Sequence, residues 1–373
     1  MTRSKFFPAL AVLVGTTIGA GFLGIPYVVS RAGFWIGAIC LLLIAGIMLC
    51  VKLYLGEVIL RTNGNHQLAG YASRYLGGKG KVLMFFSMIF GIYSALTAYL
   101  IAEGESFSYL FTGGLNYSFV ISLGFWVVLA CFSYVGLRAL KKYEKIAIIF
   151  VLLLVVLIGV FYFQSIEGEN LSYVNYKNMF LPFGVILFSF LAFSAMPEVK
   201  RLLYGQEFKL KKVIKYGVLI PLVVYFLFML VIVGNFGLKT QEIATLNLIR
   251  IFSLLGILTM FTAYFTLTLA IRDMFRFDFN FGRFKGWLLA IFVPLFLFIL
   301  FYFLEIASFT QILSIGGVVS GGLAGILILL MNLKAKTIGT RKPEYSMKIS
   351  WFTITILSLI FVLAVVLEIL GLV

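Results

Sequence analysis

This sequence predicts an all-α membrane protein, and three observations carry the prediction. Hydrophobic residues make up 62% of the 373, and charged residues only 12%, against about a quarter charged in a soluble domain. Apolar runs of roughly twenty residues recur along the whole chain, each long enough to cross a hydrocarbon core. The basic residues gather in alternate loops between those runs. With lipid as the solvent, backbone polar groups must be satisfied within helices, so the chain reads as a helix bundle without a separate soluble domain.

Eleven spans are expected, at residues 6–29, 34–60, 82–105, 117–136, 143–164, 180–199, 213–236, 249–273, 286–305, 310–333 and 349–370. The first follows Arg3 and Lys5 as a signal peptide would, but its apolar part is too long and no small-residue cleavage site is evident. One set of loops carries Arg61, Arg74, Lys79, Lys81, Arg138, Lys141, Lys142 and Lys145, then Lys200, Arg201, Lys209, Lys211, Lys212 and Lys215, Arg272, Arg276, Arg283 and Lys285, and Lys334, Lys336, Arg341, Lys342 and Lys348. The other set holds Arg31, Lys177, Lys239 and Arg250 among Glu103, Glu105, Glu167, Glu169, Glu242, Glu305 and Glu368. Basic loops stay cytoplasmic, which places the N-terminus inside, the C-terminus outside, and the protein in the cell membrane. The net charge of +16 therefore reflects the lipid bilayer as partner and implies no nucleic acid. Cys40, Cys50 and Cys131 lie in apolar spans and His66 stands alone in a polar loop, so neither disulfides nor a metal motif is expected. Between Asn63 and Lys81, the spacing of Leu68, Ala69, Tyr71, Ala72, Tyr75 and Leu76 suits a short amphipathic helix at the interface.

Span one departs from plain helix. It contains Gly15, Thr16, Thr17, Ile18, Gly19, Ala20, Gly21, Phe22, Leu23, Gly24, Ile25 and Pro26. Each glycine weakens a helix by about 1 kcal/mol relative to alanine, and opened backbone survives at membrane depth only where protein or a cavity satisfies it. A break there leaves amide donors around Ala20 and Gly21, suited to a carboxylate. It also leaves carbonyls around Gly15, Thr17 and Ile18, suited to an ammonium or a metal cation. Close packing through the Gly15–Gly19 pair is the competing explanation, and it does not account for the threonines, Gly21, Gly24 and Pro26 together.

Span six is the other candidate. It reads Pro182, Phe183 and Gly184, then Phe188 to Ala195, Met196, Pro197 and Glu198. Pro197 disfavours helix just before it, and Ser189, Ala192 and Ser194 are small enough to expose backbone. No glycine lies at its centre, so a plain proline kink competes equally with a second break. Spans one to five and six to ten form two groups of equal, odd number, as inverted-repeat transporters are built. The expected organisation is therefore a first repeat over 1–165, an inverted second repeat over 180–333 and an eleventh helix over 349–373.

The run from Gly15 to Pro26, continuing through Ala32, Gly33 and Phe34, resembles the opening signature of the amino acid/auxin permease family and the related aromatic amino acid permeases. Both belong to the amino acid–polyamine–organocation superfamily. Leu55–Glu57, Ala98–Leu100, Phe188–Phe190 and Met196–Lys200 are similar to that family as well. The resemblance implies a LeuT-type fold, in which spans one and six line a central site and span eight helps hold a coupling cation. It also implies secondary transport of an amino acid by alternating access. Carried over by position, Thr16, Thr17, Gly19, Ala20 and Gly21 would meet the substrate with Ser189, Phe190, Ala192 and Phe193, and Tyr93 would contribute a hydroxyl. The missing glycine in span six departs from many members.

No Asp, Glu, Lys or Arg is expected at mid-depth facing this site, which favours a neutral substrate. Phe22, Phe188, Phe190, Phe193 and Tyr93 suggest an apolar or aromatic side chain. Thr262 and Thr266 share a helical face of span eight, and with the carbonyls of Gly15 and Ile18 they form a candidate Na⁺ site, unless their hydroxyls bond back to their own helix. No cofactor is expected beyond a coupling ion, Na⁺ or H⁺. Arg250 with Glu103 or Glu105 is a candidate outer gate, against snorkelling toward lipid. Lys52 and Glu57 are read in the same way. The glycines of span ten, from Gly316 to Gly325, read as a packing surface. The rival readings are a non-transporting amino-acid sensor of the germination-receptor type, and an enzyme, for which no paired carboxylates or His cluster at depth speak.

Overall fold

The computed structural model describes residues 5–135, 140–279 and 281–370. Arg3 and Arg138 of the basic loops lie outside them. The first span forms two helices, α1 (Phe6–Thr17) and α2 (Gly21–Ala32), bent by 48° across the residues between. Then follow α3 (Phe34–Leu60), α4 (Leu68–Thr112), α5 (Ser118–Val135), α6 (Leu140–Tyr162) and the short α7 (Gly168–Ser172). The sixth span is again two helices, α8 (Pro182–Ser189) and α9 (Met196–Leu202). The chain continues through α10 (Leu210–Phe236), α11 (Ser253–Asp278), α12 (Arg283–Leu304), α13 (Phe309–Ile338) and α14 (Trp351–Ile369). Nine spans among the described residues are long and apolar enough to cross a membrane, the α1–α2 pair supplies a tenth, and α5 is a shorter apolar helix where the fourth crossing is expected.

Local chemistry sets the boundaries. Gly33 turns the chain between α2 and α3 at φ +113, with the Tyr173 carbonyl where a Cβ would stand. No other residue type fits that approach and that backbone conformation together. The expected interfacial helix exists, but Gly77 at φ +74 joins it to the third span as the first part of α4. Leu68, Ala69, Tyr71, Ala72 and Tyr75 on it are buried against the protein. Pro182 and Pro197 both sit in first helical turns, where the missing amide costs nothing.

The core lies around α13, which packs against α4, α8, α3 and α14. The span-ten glycines allow this contact, as expected: Gly317 lies against the Gly184 carbonyl and the Phe188 backbone, Gly321 against Leu191, and Gly325 against the ring of Phe361. Large apolar side chains such as Leu43, Val156, Val160, Phe296 and Leu363 point outward from α3, α6, α12 and α14, as lipid-facing surface requires.

Candidate substrate site at two helix breaks

The first break is short. α1 ends at Thr17, Ile18 leaves the helical region at ψ 72, and Gly19 bonds back to the Thr17 carbonyl at 3.0 Å. Thr16 and Thr17 donate their hydroxyls to Val12 and Leu13 carbonyls at 2.8 and 2.7 Å, closing the last turn before the break. Among the described residues, no backbone amide reaches the carbonyls of Gly15 or Ile18. The amides of Ala20 and Gly21 open α2, as the sequence predicts for a helix that restarts here.

The sixth span is broken too. α8 stops at Ser189, a 3-10 turn covers Phe193–Ala195, and α9 starts at Met196. A glycine is not needed for this: Ala192 takes the left-handed conformation at φ 42. The plain proline kink is therefore not what the structure contains. Pro197 lies inside the restarting helix rather than at the break.

Tyr225 of α10 ties the two breaks together. Its hydroxyl donates toward the Thr17 carbonyl at 2.7 Å and the Ser189 carbonyl at 3.0 Å. Its ring stacks on Phe22 at 5.6 Å and meets Phe190 edge-on at 5.1 Å. Gly21 stands directly against span six, where a Cβ would lie 2.7 Å from Ser189 Oγ and 2.8 Å from Phe188 Cδ1. The Tyr99 hydroxyl of α4 stands beside the backbone of Gly19 and Ala20.

Between these segments lies a cavity of about 70 Å³. Of the expected substrate residues, Thr16, Thr17, Gly19, Gly21, Ser189, Ala192 and Phe193 line it. Ala20 is buried in the break without lining it, and Phe190 turns to Tyr225. Tyr93 is corrected: its hydroxyl donates to the Leu289 carbonyl at 3.1 Å, away from the cavity. Tyr99, one face further round α4, takes the place expected of it. Met88, Ile92, Leu191 and Leu267 add apolar wall, and no charged side chain lines the space. A cavity that admits a benzene ring is about 150 Å³, so a bulky side chain requires the breaks to move apart.

Two charged residues depart from expectation. Lys52 does not snorkel: it is 0% exposed, and its Nζ lies 3.5 Å from Thr17 Oγ1. Glu57 is also buried, and it accepts from Arg61, Lys336, Ser346 and the Met347 amide. The outer-gate ion pair is not formed among the described residues. Arg250 lies over Gly113, while the Glu103 carboxylate is fully buried with neither oxygen hydrogen-bonded. Glu105 lies within electrostatic reach of Glu242 instead.

On α11, Thr262 donates to the Leu258 and Thr259 carbonyls and Thr266 to that of Thr262. Both hydroxyls thus bond back to their helix and keep only acceptor lone pairs to offer. The α11 residue facing Gly19 is Ala263. No group of three or more His, Cys, Asp or Glu that could hold a metal exists among the described residues.

Comparison with known proteins gives this geometry its context. The sequence profile of the Tryptophan/tyrosine permease family matches residues 2–248. Of the families the sequence resembles, the match is thus to aromatic amino acid permeases. Glutamine transporter 2 of Aliivibrio fischeri is 25% identical over 283 residues, covering 71% of each chain. Tyrosine-specific transport system 1 of Haemophilus influenzae is 24% identical over 329 residues, covering 80% of this chain and 81% of its own. The crystal structure of MhsT in complex with L-phenylalanine superposes with a TM-score of 0.67 over 98% of both chains at 13% identity. The fold is therefore of the LeuT type.

Proposed function

The chain belongs to the tryptophan/tyrosine permease family, and from that premise we propose that it is a secondary active transporter of neutral, hydrophobic or aromatic amino acids. Transport proceeds by alternating access, coupled to Na⁺ or H⁺, with the N-terminus cytoplasmic and residues 1–165 and 180–333 as inverted halves. The observation that carries this reading is the cavity between two broken helices, apolar-walled and free of charged lining residues. Its polar groups are backbone and hydroxyl groups from the breaks, which suit the carboxylate and ammonium of an amino acid. Its walls, from Phe188, Phe193, Met88 and Leu267, suit an uncharged side chain. The relative named for tyrosine and the neighbour holding L-phenylalanine support an aromatic side chain, and the relative named for glutamine supports a neutral one.

The test is uptake into proteoliposomes of a labelled amino-acid panel, with Na⁺ and pH gradients imposed separately. Accumulation of tyrosine, tryptophan or phenylalanine above lysine and glutamate is the expected result. Binding without accumulation under either gradient removes the transporter reading.

A further inference from the structure

Lys52 projects from α3 into the protein interior, with its Nζ on the hydroxyl of a cavity-lining residue. No ion pair joins it to a carboxylate among the described residues. On its own helix, Glu57 is already engaged by Arg61 and Lys336, and the Tyr54 hydroxyl donates to the Lys348 carbonyl. Around α3 pack α10 with Lys211, Lys212, Lys215, Tyr216 and Tyr225, α13 with Lys334 and Lys336, α9 with Glu198, Lys200 and Arg201, α7 with Glu169, and α2 with Tyr27 and Arg31, while Tyr345 of the segment after α13 donates to the Leu53 carbonyl. The hydrogen-bond partner of Lys52 among the described residues is the Thr17 hydroxyl. An ionisable group held this way inside a membrane protein is by default a functional candidate.

We propose that Lys52 is the proton-binding residue of the transport cycle, its two protonation states setting the Thr17 turn differently and so linking proton binding to the substrate cavity. This rests on the transporter reading. An ammonium only donates. The charged form therefore lets Thr17 Oγ1 accept from Lys52 while it donates to Leu13, closing the end of α1. A neutral amine carries a lone pair and can accept. The Thr17 hydroxyl can then turn to it, releasing the Leu13 carbonyl and loosening the last turn before the break. Proton binding and substrate binding are in that case reciprocally linked.

The experiment compares wild type, Lys52→Met and Lys52→Arg in proteoliposomes with labelled L-tyrosine. One arm measures exchange without any ion gradient, and the other measures accumulation under an inward proton gradient in Na⁺-free buffer. With an inward gradient of about one pH unit, wild type should accumulate L-tyrosine to about tenfold above its gradient-free level, the factor that one coupled proton supplies. Both variants should still exchange while losing that response, because Met carries no proton and Arg cannot release one. Retained proton response in Lys52→Arg overturns the proposal, since charge alone would then suffice. Loss of exchange in both variants assigns Lys52 a structural role and also overturns it. A wild type that exchanges L-tyrosine but ignores the proton gradient overturns it while leaving transport standing. A wild type that neither exchanges nor accumulates any amino acid of the panel defeats the transporter reading itself.

Discussion

Tyr225 donates its hydroxyl to the carbonyl of Thr17 at 2.7 Å, from a helix more than two hundred residues away in sequence. The same oxygen is 3.0 Å from the Ser189 carbonyl, and a phenol has one proton to give. The two breaks therefore share one donor, so whatever pulls Tyr225 toward one carbonyl withdraws it from the other. That is a physical route by which the first and sixth spans can sense each other's position.

Replacing Tyr225 by Phe keeps the stacking on Phe22 and removes the shared donor. Two buried carbonyls then lose their hydroxyl partner, at a cost of about 1–3 kcal/mol. We expect a lower melting temperature in detergent and weaker amino-acid binding. An unchanged melt together with unchanged affinity would mean that the carbonyls find another donor.

Gly21 tests whether the two breaks must touch. A Cβ there falls 2.7 Å from Ser189 Oγ and 2.8 Å from Phe188 Cδ1, whereas at Gly24 it meets side-chain carbons no closer than 3.2 Å. Gly21→Ala should therefore reduce uptake much more than Gly24→Ala, since overpacking costs about 1–3 kcal/mol. Ser189→Gly should partly rescue the first and not the second. Equal effects of the two alanines, or no rescue, would remove close packing as the role of Gly21.

The first break was legible because four glycines and a proline crowd one stretch of span one, and backbone propensity is local. The second was not, because Ala192 takes a positive φ that its sequence neighbours do not announce. The break is held by tertiary contacts, those of Tyr225 with Ser189 and Phe190 among them. Tyr99 and Tyr93 show the same limit from another side. Six residues apart on a helix, they point about 120° away from each other, and composition cannot say which face meets span one. Lys52 was misread for a related reason: its position along α3 suits snorkelling, but its direction around the helix turns it inward. The back-bonding of Thr262 and Thr266, by contrast, follows from hydroxyl chemistry that needs no partner helix.

At the basic end of the bundle, Glu57 holds the close of α3, the end of α13 and the segment after α13 together. Arg61 Nε donates at 2.9 Å, Lys336 Nζ at 3.2 Å, Ser346 Oγ at 2.8 Å and the Met347 amide at 2.8 Å. Tyr345 of the same segment donates to the Leu53 carbonyl, and burial together with the nearby Glu57 carboxylate keeps its phenol protonated above the usual range. Glu57→Gln halves the acceptor oxygens and leaves two cations without their counter-charge. We expect a loss of about 1–3 kcal/mol and faster tryptic cleavage after Arg341. Cleavage at the wild-type rate would show that the segment is held by other contacts.

Ala192 gives a test of the second break that does not depend on transport chemistry. At φ 42 its Cβ carries a penalty of about 1–2 kcal/mol. Glycine removes that penalty but gives back about 0.5–1 kcal/mol through the freedom of its unfolded chain, so Ala192→Gly should be neutral or slightly stabilising. Valine, branched at Cβ, cannot relax into the left-handed region, and Ala192→Val should lower the melting temperature and cut uptake by more than about tenfold, the equivalent of 1.4 kcal/mol. A continuous sixth helix predicts the reverse order: glycine in a helix interior costs about 1 kcal/mol and valine less. The sign of the difference between the two variants therefore decides whether span six is open at Ala192.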